Sequence, residues 1–240
     1  MRSRELVKRN LKEIVRDPLS LGLTIGLPAV MLVILQSLEG VDDFFAPTML
    51  APGIALFGFV MLMFSSAMIL SRDRESALFA RLLTTPLRSN DFIAGYSVPY
   101  LAIAVVQAMV VFGIAAVLGL VFEGSVALVL LVLGIMAVFY VGLGIILGSL
   151  LEVAPLSGAY SAVLLLTIFG GAWFDLGQIG GPIQTIENVL PFTHALDATR
   201  AVMADGADFG AITTDLLWVV GYTLVVIALA GISFKRKMLE

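Results

Sequence analysis

The sequence predicts an all-α membrane protein. It has six transmembrane helices, an N-terminal interfacial helix, a cytoplasmic helix between the second and third spans, and short external re-entrant helices before the last span. Of the 240 residues, 60% are hydrophobic and 13% are charged, against about 25% charged in an average soluble domain. Six windows of 19 to 31 residues contain no Asp, Glu, Lys or Arg. In addition, 13 of the 14 basic residues fall on one side of the predicted spans.

The six charge-free windows set the number of spans. A bilayer core of about 30 Å requires about 20 helical residues, so each window is long enough for one span and too short for two. The windows lie at 18–38, 44–71, 92–122, 124–151, 153–174 and 216–234, within a single transmembrane domain, 1–240. The first 17 residues are too highly charged for a typical cleaved signal peptide, so we expect the first span to be retained.

Lysine and arginine determine the expected orientation. Six precede the first span, four lie between the second and third spans, and three follow the last span, whereas the long loop 175–215 contains only Arg200. Basic residues concentrate on the cytoplasmic side of membrane proteins. We therefore predict that both termini and the loop 72–91 are cytoplasmic. Ten of the 18 acidic residues fall on the opposite side, which indicates loop solubility, attraction of cationic substrates or a salty habitat.

Composition and motifs also exclude several functions. A net charge of −4 and a pI of about 5.0 are unsuited to a nucleic-acid partner, and the lack of cysteine excludes disulfides and thiolate metal sites. Ion-coupled carriers usually keep ionisable residues at membrane depth, and the six windows have none. There is no G-x-x-x-x-G-K-[ST] sequence, so ATP would be hydrolysed by another chain. An ion-coupled carrier or channel, and a membrane scaffold without transport, stay open as alternatives.

The N-terminal segment predicts a basic amphipathic helix over 3–16, lying in the cytoplasmic interface. Val7, Leu11 and Ile14 recur at the spacing of one helix face, and basic residues cover the rest. Pro18 then begins the first span at a position where its missing N–H costs nothing. A cluster of positive charge that only sets topology is the alternative.

The segment 72–91 predicts a short cytoplasmic helix with an apolar stripe. The stripe has the helical spacing i, i+1, i+4, i+5 and consists of Leu78, Phe79, Leu82 and Leu83. Pro86 ends the helix, because a residue that precedes proline avoids the right-handed helical conformation. A simple positively charged turn does not need such a stripe, so we favour a docking surface for a partner protein.

The loop 175–215 is too long for a simple hairpin. Two weakly amphipathic pieces, 183–189 and 193–203, are too short to span a bilayer, so we expect short, partly re-entrant helices at the outer surface. His194 is the only histidine and has no partners at metal-ligand spacing. For Arg200, we expect pairing with Asp197, Asp205 or another acid of this loop.

Two pairs of glycines at four-residue spacing lie within the spans: Gly22 with Gly26, and Gly144 with Gly148. Such small residues let helices approach closely. Each pair predicts either ordinary helix packing within the chain or a specific seam between two copies.

The sequence around the apolar stripe resembles a loop of ABC-2 type permeases, the membrane subunits of ABC exporters. Their pattern, R-E-x-G-T-x-E-x-L-x-x-T-P followed by a Gly-Lys, is matched here by Arg74, Glu75, Leu82, Thr85, Pro86 and Gly95. The family's glycine, its following acid and its lysine are replaced here by Ala77, Ala80 and Tyr96. The stretch 190–200 also resembles the family's Pro-x-Thr…Arg element, in the style of daunorubicin-resistance and nodulation-type permeases.

The resemblance implies a permease that forms a homodimer or heterodimer in the cell membrane and docks P-loop ATPase subunits at its cytoplasmic face. The helix over 73–83 would be the coupling helix. No cofactor is expected on this chain, because ATP-Mg would bind the partner. The implied cargo is a hydrophobic or amphipathic drug, lipid or lipid-linked glycan moved out of the cytoplasm, and a haem-exporter-like permease is a variant. The implied docking residues are Asp73, Arg74, Glu75, Leu78, Arg81, Leu82 and Pro86, and the implied external gate is Pro191, His194 and Arg200.

Overall fold

The computed structural model describes residues 2–38, 40, 43–76, 89–173 and 189–238. Eight α-helices account for most of these residues. A 3₁₀ turn, Asp43–Phe45, precedes the third helix, and a π-helical turn, Ile168–Ala172, continues the sixth. The helices are α1 Arg2–Val15, α2 Pro18–Gln36, α3 Pro47–Arg74, α4 Ser89–Val117, α5 Val126–Leu150, α6 Val153–Thr167, α7 Pro191–Asp205 and α8 Thr213–Met238.

The prediction of six spans is confirmed. Within the described ranges, six helices are long and apolar enough to cross a membrane: α2, α3, α4, α5, α8, and α6 together with its π turn. Helix α3 extends three residues beyond the predicted second span, to Arg74. Asp73 and Arg74 therefore belong to the last turn of α3 and not to a separate helix over 73–83. Most of the predicted coupling helix lies outside the described residues.

Helix α3 forms the centre of the bundle. In its most apolar window 72% of the residues are buried, against 22% for α2 and 17% for α6 with its π turn. It packs against α2, α4, α5 and α6. A helix surrounded by protein in this way is positioned by its neighbours, whereas α2 and α6 present much of their apolar surface outward.

Close contact between α3 and α5 depends on the pair Gly144 and Gly148. A Cβ atom on Gly148 would lie 2.6 Å from the carbonyl oxygen of Ala67, and one on Gly144 would lie 2.6 Å from that of Met63. This pair is therefore a packing seam within the chain. A Cβ on Gly22 or Gly26 would meet no described atom within 4 Å.

The start of α2 follows the prediction. Pro18 is in the first turn, and Asp17 caps the helix. The backbone N–H of Ser20 donates to Asp17 Oδ1 at 3.1 Å, and Ser20 Oγ donates to Oδ2 at 2.6 Å. These hydrogen bonds stabilise the ionised carboxylate and lower the pKa of Asp17.

Helix α1 is present as predicted, but its buried face differs. Leu6, Asn10 and Ile14 are the buried residues, while Leu11 is 39% exposed and Val15 is 59% exposed. Asn10 Nδ2 donates to the carbonyl oxygen of Gly95 on α4 at 3.0 Å. The face of α1 that packs on the bundle is thus centred on Asn10, whereas Leu11 and Val15 of the predicted apolar face lie outside it.

Helix α7 fills the end of the bundle opposite α1. It covers the predicted piece 193–203, and nine of its 15 residues are buried. At about 1.5 Å per residue it is about 22 Å long, too short to cross a bilayer core. It packs against α3, α5 and α8. The re-entrant position stays a prediction, and the piece 183–188 lies outside the described residues.

Candidate functional site

The two ends of the bundle hold the residues that the sequence singles out. We call the end that contains α1 and the last turns of α3 and α8 the basal end, and the end that contains α7 the distal end. At the basal end, Phe92 of α4 packs against Phe234 of α8, with ring centroids 5.7 Å apart, and Leu6 of α1 joins the same buried cluster. Segments from both ends of the chain thus meet here.

A buried carboxylate, Asp73, ties three helices together at the basal end. Arg9 of α1 donates twice to it, from Nη1 to Oδ2 at 2.8 Å and from Nη2 to Oδ1 at 2.9 Å. Tyr96 of α4 donates from its hydroxyl to Oδ2 at 2.7 Å. Asp73 is 7% exposed and Tyr96 is fully buried. We call these three residues the basal junction.

The charges of the basal junction depend on each other. Burial alone would lower the pKa of Arg9, but its hydrogen bonds to Asp73 and the negative charge of that residue outweigh burial and raise the pKa. Arg9 is therefore a permanent cation facing a buried carboxylate. Removing one partner of such a pair is strongly destabilising, because the other is left as an uncompensated charge.

Arg74 attaches the same end of α3 to the end of α5. Its guanidinium donates to the carbonyl oxygens of Ser149 and Leu151, the latter at 3.0 Å. Ser71 Oγ also donates to Leu151 O, at 2.9 Å. The last carbonyls of a helix have no partners within that helix, and a cation there also interacts favourably with the helix dipole. Arg74 thus caps α5 at its junction with α6.

The predicted docking residues fall into three groups: two that bind within the chain, one that is exposed, and four that lie outside the described residues. The side chains of Asp73 and Arg74 are engaged within the chain, whereas Glu75 is exposed just after α3. Leu78, Arg81, Leu82 and Pro86 lie outside the described residues, so docking through them stays a prediction. Sequence reasoning missed Arg9, one of six similar cations near the N-terminus. Tyr96 was marked only as a departure from the family's lysine.

At the distal end, Arg200 of α7 joins the start of α3 to the end of α6. Its Nε donates to Met49 O at 3.0 Å and its Nη2 donates to Gly171 O at 2.8 Å. Its guanidinium also lies 4.9 Å from the ring centroid of Phe44. Gly171 has a φ of 90°, which a glycine adopts without strain, and it lies in the π turn that ends the fifth span. The expected pairing of Arg200 with a loop acid stays a prediction.

The other two residues of the predicted gate also lie on α7. Pro191 is buried in its first turn. His194 Nδ1 lies 2.7 Å from Asp215 Oδ1 of α8, and its ring stacks on Trp218 at a centroid distance of 5.2 Å. In the described ranges, no group of three His, Cys, Asp or Glu side chains is placed to hold a metal ion. The three gate residues therefore connect α7 to its neighbours.

Comparison with known proteins decides the family. Residues 3–204 match the sequence model of the ABC-2 type transporter family. The match includes the basal junction and Arg200. The chain belongs to the ABC-2 type transporter family. Probable multidrug ABC transporter permease YbhR of Escherichia coli strain K12 is 23% identical over 189 residues, which is 78% of this chain and 51% of that protein. YbhR of Escherichia coli O157:H7 gives the same values.

Membership in the ABC-2 type transporter family makes this chain a membrane-spanning transport subunit of an ABC transporter, not itself the catalytic subunit. The chain spans about half the length of the curated relatives it matches. Its arrangement of six candidate spans and a basal interfacial helix agrees with a multi-pass membrane subunit.

Proposed function

We propose that this ABC-2 subunit is the permease of an ATP-driven exporter, which moves a hydrophobic or amphipathic substrate out of the cytoplasm with energy from its ATPase partner. The drug-like character of the cargo is supported by the name of the relative YbhR, a probable multidrug permease. A lipid or a lipid-linked glycan fits the same apolar spans. The observation that carries the proposal is the basal junction, which lies at the root of the loop expected to receive the ATPase.

The basal junction explains how a push on that loop would reach the spans. Residues 75–88 connect α3 to α4, and Asp73 and Tyr96 lie on either side of this loop. Their hydrogen bond at 2.7 Å holds the two roots together, and Arg9 adds the interfacial helix. A displacement of the loop would therefore move α1, α3 and α4 as one unit, while Arg74 passes it on to α5.

Helix α3 would transmit the displacement to the opposite side. Its 28 residues form a rod of about 42 Å, with Asp73 near one end and Met49 near the other. Arg200 binds the carbonyl of Met49 and that of Gly171. Movement of α3 would thus act on α7, which we propose as the external gate, and on the end of α6.

We also propose that the chain lies in the cell membrane with its basal end and both termini on the cytoplasmic side. Two permeases would pair in this membrane. The basic residues of α1 and of 72–88 support the orientation. The outward apolar surfaces of α2 and α6, with Gly22 and Gly26 unopposed, support pairing as a homodimer or heterodimer.

Co-purification with the ATPase tests the docking proposal. Glu75→Arg reverses the charge of an exposed residue at the basal end, and Leu82→Asp disrupts the predicted stripe. We expect both variants to lose most of the bound ATPase. Glu123→Arg makes the same charge reversal at an exposed residue beside α5 at the distal end, and it should retain the ATPase. Unchanged binding in both loop variants would contradict the coupling-helix assignment.

Cysteine labelling tests the orientation. The chain contains no cysteine, so Ser76→Cys gives a single reactive thiol in the first residues of the loop. An impermeant maleimide added outside intact cells should leave it unmodified until the membrane is opened. Labelling from outside would place the basal end on the external side.

A further inference from the structure

A cavity of about 250 Å³ opens at the basal end between α1, α2, α3 and α4. It lies beside the basal junction but is not lined by Asp73 or Tyr96. Its position at the start of one span and the end of another is the depth at which lipid headgroups meet the hydrocarbon core. Neither the family comparison nor the docking proposal assigns it a role.

The cavity has exposed charges and a mixed interior. Glu13, Asp17 and Arg72 are exposed and form its mouth, whereas Leu62 is 1% exposed and lies deeper. Phe64 also lines the cavity, together with polar side chains such as Thr24 and Ser65. Arg72 and Leu62 are ten residues apart on α3, which corresponds to about 15 Å along a helix. The shape therefore suits a molecule with a charged head and an apolar body.

The three charged groups of the mouth differ in their hydrogen bonds within the chain. Glu13 Oε2 accepts a hydrogen bond from Arg9 at 3.1 Å, and Asp17 accepts two from Ser20. Arg72 is exposed and forms no hydrogen bond or close ion pair with any residue in the described ranges. A guanidinium offers five N–H donors suited to phosphate, and both carboxylates retain free lone pairs that can accept from an ammonium.

We propose that this cavity binds a zwitterionic amphiphile of the phosphoethanolamine type, taken from the adjacent leaflet. The phosphate lies at Arg72, the primary ammonium lies between Glu13 and Asp17, and the alkyl chain runs along Leu62 and Phe64. This inference goes beyond the proposed export function, since it concerns binding by the permease alone and needs no ATPase.

The mouth selects against singly charged heads. An anionic head at Arg72 meets two carboxylates, and a cationic head at those carboxylates meets Arg72. A zwitterion satisfies both signs. A free phosphoethanolamine has the same head, but it has no alkyl chain to bury against Leu62 and Phe64 and therefore binds more weakly.

Binding at this mouth also reaches the basal junction. Arg9 contacts Glu13 at the mouth and Asp73 at the junction. An ammonium at Glu13 competes with Arg9 for the Glu13 carboxylate. Arg9 therefore connects the bound molecule to the basal junction.

Protection of an introduced thiol tests the proposal. Ser65 lines the cavity, and Ser65→Cys is close to isosteric in a chain without other cysteines. The rate of maleimide modification is measured on the purified full chain in an uncharged maltoside detergent. Four probes are added in turn: dodecylphosphoethanolamine, dodecyl phosphate, dodecylamine and soluble phosphoethanolamine. We expect dodecylphosphoethanolamine to slow modification several-fold and the other three to have little effect.

Four further substitutions make the result specific. Met68→Cys is a second reporter in the cavity wall, used if the first fails to fold, whereas Met109→Cys reports from the outward face of α4, where Met109 is 67% exposed. Protection should be present at Met68→Cys, absent at Met109→Cys, and lost when Arg72→Gln or Asp17→Asn is added to Ser65→Cys. Asparagine still caps a helix, so Asp17→Asn removes the charge and keeps the cap.

Several outcomes would overturn the proposal. Equal protection by the three dodecyl probes would show a cavity that selects only for the chain, and protection by dodecylamine or dodecyl phosphate alone would show a singly charged ligand. Equal protection by soluble phosphoethanolamine would show a water-soluble ligand. Protection that survives both Arg72→Gln and Asp17→Asn would remove the role assigned to the mouth.

Discussion

At each end of the bundle an arginine takes part in contacts that join three elements, but Arg9 and Arg200 have different partners. At the basal junction, Arg9 faces the buried carboxylate of Asp73. At the distal end, Arg200 donates to the carbonyls of Met49 and Gly171 and stands over Phe44. The first is a bond between two full charges, and the second is a bond between one charge and backbone dipoles.

The difference predicts how the two ends respond to force and to substitution. An ion pair with two parallel hydrogen bonds fixes both direction and distance, which suits an element that must pass on a push. A guanidinium bound to carbonyls can exchange one for a neighbouring carbonyl, because backbone carbonyls recur along the chain. We therefore expect the contact of Arg9 with Asp73 to be more rigid than the contacts of Arg200.

The largest effect is expected for Arg9→Ala. It leaves Asp73 as a buried, largely uncompensated charge, and the cost of such a loss is about 3–5 kcal/mol, here at the lower end because the Arg9 side chain is 32% exposed. The thermal unfolding midpoint in detergent measures it. Arg9→Met combined with Asp73→Leu removes both charges and should recover much of the loss. A double variant as unstable as Arg9→Ala would contradict the account.

A smaller loss is expected for Arg200→Met. It leaves the carbonyls of Met49 and Gly171 without this donor, which costs about 1–3 kcal/mol for an unsatisfied group. Arg200→Lys keeps a cation and should lose less. The same unfolding measurement applies, and a loss larger than that of Arg9→Ala would reverse the contrast between the two ends.

Arg74→Met tests whether the loss of stability depends on the type of hydrogen-bond partner or on the position in the bundle. Arg74 lies at the basal end but, like Arg200, donates to carbonyls. If the type of partner decides the cost, this variant should resemble Arg200→Met and fall below it, because Ser71 still donates to Leu151 O. A loss equal to that of Arg9→Ala would show that position in the bundle matters more than the partner.

The smallest effect is expected for Tyr96→Phe. It removes one hydrogen bond to Asp73 and keeps the ring in place, and a hydrogen bond to a charged group is worth about 1.5–3 kcal/mol at most sites. Asp73 retains both bonds from Arg9, so we expect the low end of that range. The double variant Arg9→Ala with Tyr96→Phe should lose more stability than the sum of the two single losses, because both residues donate to Asp73. Losses that simply add would contradict this account.

Sequence alone was sufficient for the spans and insufficient for the junctions. A run without charge reports directly on the solvent around it, so the number of spans and the start of α2 at Pro18 were predicted correctly. The partners of Asp73 lie 64 and 23 residues away in the sequence, and no local pattern marks them. Asn10 was missed for the same reason, because its burial depends on a carbonyl at Gly95.

The distal contacts were hidden in another way. Arg200 binds the carbonyl oxygen of Gly171, in a π turn whose glycines leave regular helical geometry. Apolar spacing predicts where a helix runs but does not show where its backbone hydrogen bonds are interrupted. A charge that binds backbone therefore offers no complementary residue to search for.

The burial of α3 has a mechanical consequence. A helix packed against α2, α4, α5 and α6, with glycines of α5 pressed against its backbone, has almost no freedom to rotate or slide by itself. Helices α3 and α5 can therefore move only together, and changes of relative position within the chain take place in the outer helices. Helices α2 and α6 are the least buried of the six candidate spans, so we expect their contacts within the chain to be the easiest to rearrange.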